Sequence, residues 1–273
     1  MDASRDAAAG LDSGAAVDAS VDAGADVDAC VSTGVETCND VDDDCNGIVD
    51  DLDVGGDGIT DCLHILLLGA PGLRSSSNFQ AWLTAQGTMV MRRDDTSPPD
   101  TVTAALLAGY DVVVLDRLLR SYSAAESDVL RDYVAAGGGL ISMTGYDGSA
   151  DRPQSNSALV SLGVEYLPGL QDGPITRFVT HPTTAGLSSV TFAGGYYVGE
   201  LAGATGATNT VVATFPPVGD GGLGPTAGLA QERGIGRAWI WGDEWIEFDS
   251  EWTTMPEIST LWANVLGWVS HQR

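Results

Sequence analysis

From residue 63 onward, continuous apolar runs recur along the chain, with amphipathic stretches between them. The clearest runs are 63-LHILLL, 112-VVVLD and 140-LISMT. Short runs rich in Val, Ile and Leu are typical of strands that are buried on both faces of a parallel sheet. A more polar run, 88-TMVMRR, predicts a further strand.

The amphipathic stretches between these runs predict helices. One helix is expected over Asn78 to Gln86, where Gly87 ends it, and a shorter one over Thr101 to Ala108. Ser123 and Glu126 have the spacing of a capping box and begin a third helix. The alternation of strand and helix predicts an α/β fold with a parallel sheet and right-handed crossovers.

The second half of the same region has a weaker pattern. Short strands are expected at 176-TRFVT, 190-VTFAGG and 210-TVVATF, before a closing strand at 236-GRAWIWGDEW and a helix over Met255 to Ser270. A chain of this length can bury a sizeable hydrophobic core. Residues 63–273 are therefore predicted to form one α/β domain with helices on both faces of the sheet.

The first 62 residues have a different character, because they contain no aromatic side chain and cannot build such a core. Residues 1–29 consist mainly of Asp, Ala, Gly, Ser and Val, which predicts a disordered, self-repelling tether. Residues 30–62 hold all four cysteines. An even number of cysteines in a small acidic segment favours disulfides, although four cysteines allow three pairings.

Composition narrows the classes of function. The chain has 38 acidic and 12 basic residues and a formal net charge of -26, which excludes a nucleic-acid binder. All the basic residues are Arg, so no lysine is available for a Schiff base or a phosphate-binding loop. No apolar run is long enough to span a membrane. The chain shows no signal peptide, but its cysteines favour an exported protein, extracellular or on the cell surface.

Residues 42–53, DDDCNGIVDDLD, follow the spacing of an EF-hand calcium loop. A hard cation needs several converging oxygens, and a glycine at the sixth position permits the sharp turn between them. The pattern recurs, weaker, in 53-DVGGDGITD-61, so that Asp53 is available to both loops. The expected Ca²⁺ ligands are Asp42, Asp44, Asn46, the carbonyl of Ile48, Asp50, Asp53, Asp57 and Asp61.

The segment 36-ETCNDVDDDCNGIVDD resembles the Cys/Asp repeat of MopE-type proteins, a family of bacterial extracellular and surface proteins. The resemblance covers about residues 30–62 and implies metal binding. The segment contains no His, and Asp and Asn oxygens suit Ca²⁺ far better than copper. The alternative is an acidic, disulfide-linked connector that binds no specific ion.

Residues 63–273 resemble the class I glutamine amidotransferase-like superfamily, especially its secreted and ThuA-like branches. The turn Gly69 to Gly72, the helix 126-ESDVLRDYVAAGGGLIS and the run 236-GRAWIWGDEW carry the resemblance, together with Trp262, Asn264 and Trp268. It implies a flavodoxin-like fold and, in active members, a Cys nucleophile with a later His and Glu.

The catalytic positions of that family can be compared residue by residue. The nucleophile elbow falls at Ser142 to Gly145, which contains no Cys. Gly242 stands where the His would be, and only Glu244 matches the family. We therefore expect a non-catalytic domain that is used for binding.

Acidic and aromatic residues follow the predicted strands, and the carboxyl ends of parallel strands are where such sheets bind ligands. Flat rings beside carboxylates suit carbohydrate, and the same acids could hold a cation. The candidate ligand-binding residues are Asp116, Tyr146, Asp147, Asp243, Glu244, Trp245 and Trp252. Trp239, Trp241 and Trp262 have the spacing of core residues.

Three functions are thus open. The leading hypothesis is an exported calcium-binding protein whose α/β domain binds carbohydrate, a cell-surface polymer or a protein. The first alternative is a hydrolase with a relocated site around Thr144, His181, Asp243 and Glu244, in which His181 is the candidate base. The second alternative is a structural subunit of a surface layer or filament.

Overall fold

The computed structural model describes residues 30–39, 41–95, 102–145, 151–217 and 222–271. The predicted tether, residues 1–29, lies outside the described residues. So do two candidate ligand-binding residues, Tyr146 and Asp147.

Ten strands and six α-helices are assigned within the described part of the chain. The strands are β1 (His64–Leu68), β2 (Met89–Arg93), β3 (Val112–Leu115), β4 (Gly139–Ser142), β5 (Val164–Ile175), β6 (Arg177–Phe178), β7 (Val190–Glu200), β8 (Thr208–Thr214), β9 (Thr226–Arg233) and β10 (Gly236–Trp241). The helices are α1 (Ser77–Ala85), α2 (Ala104–Leu107), α3 (Ala124–Ala135), α4 (Asp151–Leu159), α5 (Asp249–Thr254) and α6 (Ile258–Val269).

The main sheet has the strand order β2-β1-β3-β4-β10-β9-β8-β6. The first five strands in this order, β2 to β10, are parallel to one another. This confirms the predicted parallel α/β sheet, and the arrangement is consistent with a flavodoxin-like fold. Strands β5 and β7 form a separate antiparallel pair.

The far side of the main sheet is antiparallel, which the sequence pattern did not predict. Strand β9 pairs with β10 in antiparallel register, Arg233 opposite Gly236, so that only Gly234 and Ile235 connect them. A connection of two residues can join only antiparallel strands. Gly234 has a φ of 59°, the left-handed conformation that such a tight turn needs.

The core lies on both faces of the main sheet, because successive side chains of a strand point to opposite sides. Leu67, Val114 and Trp239 pack in the cluster that includes Phe79 of α1 and Trp262 of α6. Their strand neighbours belong to a second cluster, which includes buried residues of α3, α4, β5 and β7. The tryptophans predicted as core residues, Trp239, Trp241 and Trp262, are all 0% exposed.

The predicted capping box at the start of α3 is present and extends further than its own helix. Glu126 accepts hydrogen bonds from the Ser123 and Val102 amides at 2.9 and 3.0 Å, and from Arg120 at 2.6 Å. Burial alone would raise the pKa of Glu126, but these charge-assisted hydrogen bonds outweigh it and lower the pKa to about 2. The carboxylate therefore joins the start of α3 and the loop before it to Val102, which precedes α2.

We expect Glu126→Gln to lower the free energy of unfolding by about 2 kcal/mol at pH 7, because it weakens several hydrogen bonds to a charged acceptor. Since the folded pKa lies below the ordinary 4.5, this contribution is present above about pH 4.5 and is lost as the pH falls towards 2. Urea unfolding at several pH values measures it. Asp132→Asn, at an exposed acid of the same helix, should stay within about 0.5 kcal/mol. An equal loss in both variants would contradict the prediction.

Candidate functional site

Two disulfides organise the segment before β1. They join Cys30 to Cys45 and Cys38 to Cys62, with Cα atoms 5.7 and 5.2 Å apart. No cysteine is free. The second disulfide ties the segment to the residue that precedes Leu63 and β1, and so selects one of the three pairings that the sequence left open.

The first predicted calcium loop is folded around the side chain of Asp42. Its carboxylate accepts hydrogen bonds from the amides of Asn46 at 3.1 Å and Gly47 at 2.8 Å. The side chain of Asn46 in turn accepts from the Ile48 amide at 2.8 Å. Gly47 has a φ of 93°, as expected for the glycine at the sharp turn. Asp44 accepts a second bond from the Asn46 amide at 2.9 Å.

The second loop repeats this geometry eleven positions later. Asp53 accepts from the amides of Asp57 at 3.1 Å and Gly58 at 2.8 Å, and Asp57 accepts from the Ile59 amide at 3.0 Å. Asp61 accepts from the Val54 amide at 2.9 Å. Asp53 thus begins the second loop as Asp42 begins the first.

The two loops differ in their surroundings. Ile48 of the first loop is 52% exposed, whereas Ile59, at the same place in the second loop, is 0% exposed and packs in the core cluster that includes Leu63 and Phe79. The second loop is therefore anchored on the α/β domain, and the first projects into solvent.

Glu36 is a site residue that the loop pattern missed. It is 5% exposed and accepts from the amides of Asp43 at 3.1 Å and Asp50 at 2.9 Å. Carboxylate oxygens of Glu36, Asp42 and Asp44 lie within 4.8 Å of one another. Glu36 precedes the loop by six positions, so the EF-hand spacing could not identify it. The available signal was that it is the single acid between Cys30 and Asn39.

A second group of acids lies at the carboxyl edge of the main sheet. Asp116 directly follows β3, and Glu244 and Glu247 belong to a 3-10 turn that follows β10. Oxygens of the three carboxylates lie within 4.8 Å of one another, and the residues are only 1%, 4% and 0% exposed. Arg92 of β2 forms an ion pair with Asp116 at 2.7 Å. The sequence predicted Asp116 and Glu244 as site residues and missed Glu247.

Two glycines make room for these carboxylates. A Cβ atom at Gly72 would lie 2.0 Å from Oε1 of Glu247, and one at Gly145 would lie 2.1 Å from Oε1 of Glu244. Gly145 belongs to the segment where the resemblance placed a nucleophile elbow. The carboxylate of Glu244 therefore occupies the space that a side chain at position 145 would need.

The buried acids have strongly shifted pKa values. Burial raises the pKa of Glu247 well above 4.5, and the neighbouring carboxylates of Asp116 and Glu244 raise it further. Burial also raises the pKa of Asp116, against the effect of Arg92. Among the described residues, no hydrogen-bond donor reaches either carboxylate oxygen of Glu247. Asp116 and Glu247 lie within hydrogen-bonding reach of each other, but an ionised carboxylate has no proton to donate, so neither serves the other as a donor in that state.

Asp243 has a different environment from its neighbour Glu244. Its two oxygens accept hydrogen bonds from the amides of Ala193 in β7 and of Trp245, the latter at 3.0 Å. Burial raises the pKa of Asp243 to about 7, although these two hydrogen bonds oppose the shift. Both oxygens are thus engaged with the backbone, and the side chain joins β7 to the turn after β10.

The two candidate ligand-facing tryptophans are half-buried beside the same turn. The ring of Trp245 packs against Phe248, with centroids 5.4 Å apart, and the guanidinium of Arg74 lies 5.1 Å from its centroid. Trp252 lies 5.7 Å from Trp82, and its Nε1 donates to the carbonyl of Glu247 at 3.3 Å. Both rings keep part of their surface open to solvent.

Thr144 and His181 are not brought together. Thr144 lies at the carboxyl edge, where its carbonyl accepts from the Glu244 amide at 3.2 Å. The ring of His181 packs edge-on against the ring of Trp268, with centroids 4.9 Å apart. The backbone carbonyl of Trp268 accepts a hydrogen bond from Arg237, the second residue of β10. Thr144 therefore lies at the carboxyl end of β10, whereas His181 lies near the start of that strand. A direct proton transfer from Thr144 to His181 is therefore not possible in this arrangement.

Asp249 connects the loop after β1 to the turn after β10. Its carboxylate accepts from the Ser75 and Ser77 hydroxyls and from the Asn78 amide, the last two at 2.7 Å each. Ser76, at the N-cap of α1, makes no capping hydrogen bond with its side chain. Asp249 therefore caps α1 from a distant part of the chain, and its negative charge interacts favourably with the positive N-terminal end of the helix dipole.

No protein-family model matches this sequence, and no curated protein matches it significantly. Solved structures do share its fold. The structure named mmIFT52 N-terminal domain is 16% identical with a TM-score of 0.58, and the alignment covers 76% of this chain and 97% of that one. Cytoplasmic Protein STM1381 from Salmonella typhimurium LT2 is 17% identical with a TM-score of 0.55, covering 76% and 99% of the two chains.

A third structure, Cytoplasmic Protein STM3548 from Salmonella typhimurium, is 17% identical with a TM-score of 0.53, covering 76% of this chain and 98% of that one. At these identities the likeness shows a common fold and carries no function with it. None of the helices in the described part of the chain is both long enough and apolar enough to cross a membrane.

We expect Asp249→Ala to lower the free energy of unfolding by about 1 to 2 kcal/mol, because α1 loses its only side-chain cap among the described residues. The Asn78 amide should also exchange with solvent faster, which hydrogen exchange measures residue by residue. Ser250→Ala, at the exposed neighbouring position, is the matched control and should leave Asn78 unchanged. Unaltered exchange at Asn78 in Asp249→Ala would show that the cap is dispensable.

Proposed function

We propose that this chain is an exported, surface-associated protein in which a calcium-binding connector, residues 30–62, carries a non-catalytic α/β domain that binds a ligand. The observation that supports it best is the repeated loop geometry around Asp42 and Asp53, together with the convergence of Glu36, Asp42 and Asp44. Two loops that share the same hydrogen bonds around a leading carboxylate fit a repeated cation-binding unit.

The charge and chemistry of the connector favour a hard cation. Residues 30–62 contain ten acids and no basic residue, so the repulsion between them has no counter-charge within the segment. All four cysteines are in disulfides and no histidine is present, so soft metals find no ligands there. Ca²⁺ at the millimolar levels outside cells would stabilise such a segment.

The disulfides also support the proposed location. Disulfides persist in oxidising compartments and are rare in the cytosol. A connector stabilised by both disulfides and Ca²⁺ therefore fits an extracellular or cell-surface protein. The alternative for this segment, an acidic connector that binds no specific ion, differs only in the absence of the cation.

The non-catalytic character of the α/β domain rests on two glycines. A Cβ atom at Gly242, where the amidotransferase-like resemblance would place a His, would lie 1.9 Å from the carbonyl oxygen of Tyr196. A side chain at Gly145 would displace Glu244. The backbone thus leaves no space for a His at position 242, and the elbow, Ser142 to Gly145, contains no Cys, which fits a ThuA-like domain that binds without turnover. Trp245 and Trp252 are its candidate carbohydrate-stacking surfaces.

Calcium binding is tested by titrating chelator-treated protein calorimetrically. We expect Asp42→Asn to weaken Ca²⁺ binding at least tenfold, because it removes a ligand charge while an amide oxygen can still hold the loop turn. Asp51→Asn removes the same charge from a position of the loop that is not a predicted ligand, and should change affinity less than threefold. If the two variants weaken Ca²⁺ binding equally, Asp42 acts only through the overall negative charge of the loop and is not a ligand. The absence of Ca²⁺ uptake at millimolar concentration would refute the proposal.

The binding role of the α/β domain is tested against a panel of ester, amide and glycoside substrates. We expect no turnover above background, because Thr144 and His181 lie at opposite ends of β10. Turnover that Glu244→Ala or His181→Ala abolishes would support the hydrolase instead. A glycan array then tests carbohydrate binding, with Trp252→Ala as the variant. A blank array together with Ca²⁺-dependent self-association would favour a structural subunit.

A further inference from the structure

The acids at the carboxyl edge of the sheet form a second site, separate from the connector. We propose that Asp116, Glu244 and Glu247 together bind one hard divalent cation of the Mg²⁺ or Mn²⁺ kind inside the α/β domain. Their oxygens already lie within 4.8 Å of one another, close enough to share one ion. They come from two separate parts of the chain, the end of β3 and the turn after β10.

The environment of Glu247 gives independent support. Its side chain is 0% exposed, and neither carboxylate oxygen meets a hydrogen-bond donor among the described residues. A buried carboxylate without a donor is costly, and such groups in native proteins are usually paired or coordinate metal ions. The side chain faces Asp116 and Glu244, so the missing partner belongs between the three carboxylates.

The balance of charge fits a divalent ion. The ion pair with Arg92 offsets the charge of Asp116, whereas neither oxygen of the buried Glu247 meets a hydrogen-bond donor among the described residues. A single shared proton would offset one charge and join only two of the carboxylates. A divalent cation would contact all three carboxylates, in oxygen-only coordination that suits Mg²⁺ and Mn²⁺.

Two glycines also leave space for the carboxylates that would hold the ion. Gly72 and Gly145 flank Glu247 and Glu244, and a methyl group at either position would collide with the carboxylate. Their lack of side chains lets both carboxylates turn inwards at the edge where parallel α/β sheets bind ligands. The nearby Asp243 does not contribute, because both of its oxygens are engaged with backbone amides.

The probe is Mn²⁺ with the full-length protein. Chelator-treated protein is titrated with MnCl₂, free Mn²⁺ is counted by electron paramagnetic resonance, and crystals soaked in MnCl₂ are measured for anomalous scattering. We expect an anomalous peak between the three carboxylates. We also expect Glu247→Gln to bind one Mn²⁺ fewer than the wild type, and to lose the part of the Mn²⁺-induced rise in melting temperature that this site supplies. The change is isosteric and removes a buried charge, so the variant should fold.

Two control variants isolate this site. Glu251→Gln alters another buried acid four residues away and should bind as many Mn²⁺ ions as the wild type. Asp42→Asn should reduce binding only in the connector, so failure of either site is distinguishable from failure of the other. The proposal is overturned if Glu247→Gln retains every Mn²⁺ ion, or if soaked wild-type crystals show no anomalous peak between the three carboxylates.

Discussion

The parallel pairing of β10 with β4 is the contact on which the rest of this molecule depends. It places Ile240 beside Ser142, so that the chain after β10 emerges beside Thr144 and Gly145. From there the turn that follows can direct Glu244 and Glu247 towards Asp116 at the end of β3. The same strand extends the sheet through its tight hairpin with β9. Strand β10, which lies between β4 and β9, thus joins the parallel half of the sheet to the antiparallel half and brings the acids of the carboxyl edge together.

The connector relies on the same core. The second loop buries Ile59 among residues of the α/β domain, and the disulfide from Cys38 ends at Cys62, two residues before β1. The first loop, with Glu36 reaching into it, remains at the surface. The two loops share a local geometry but differ in role. The second loop anchors the connector on the α/β domain, and the first loop stays accessible to solvent. A cation in the first loop would stabilise a segment that hydrophobic burial does not reach.

Much of the fold could be predicted because burial leaves a clear trace in a sequence. Runs such as 112-VVVL have no polar positions, since both faces of the strand are covered, and the Ser123 and Glu126 spacing has a local cause. The elements that were missed lack such traces. Helix α4 is predominantly polar, and β5 contains two prolines and two glycines. Glu36 and Glu247 were missed because their partners are distant or follow no known spacing.

The sequence by itself determined the local features of this protein: the buried strands, the capping box of α3, the turn glycines of the calcium-like loops and the absence of a cysteine at the elbow. These depend on residues within a few positions of one another. Only the tertiary structure decided which cysteines pair, which loop is buried, and that three acids separated by up to 131 positions share one buried space. The physical reason is that burial of charge, and the room that Gly72 and Gly145 leave for it, arises only when distant strands pack together.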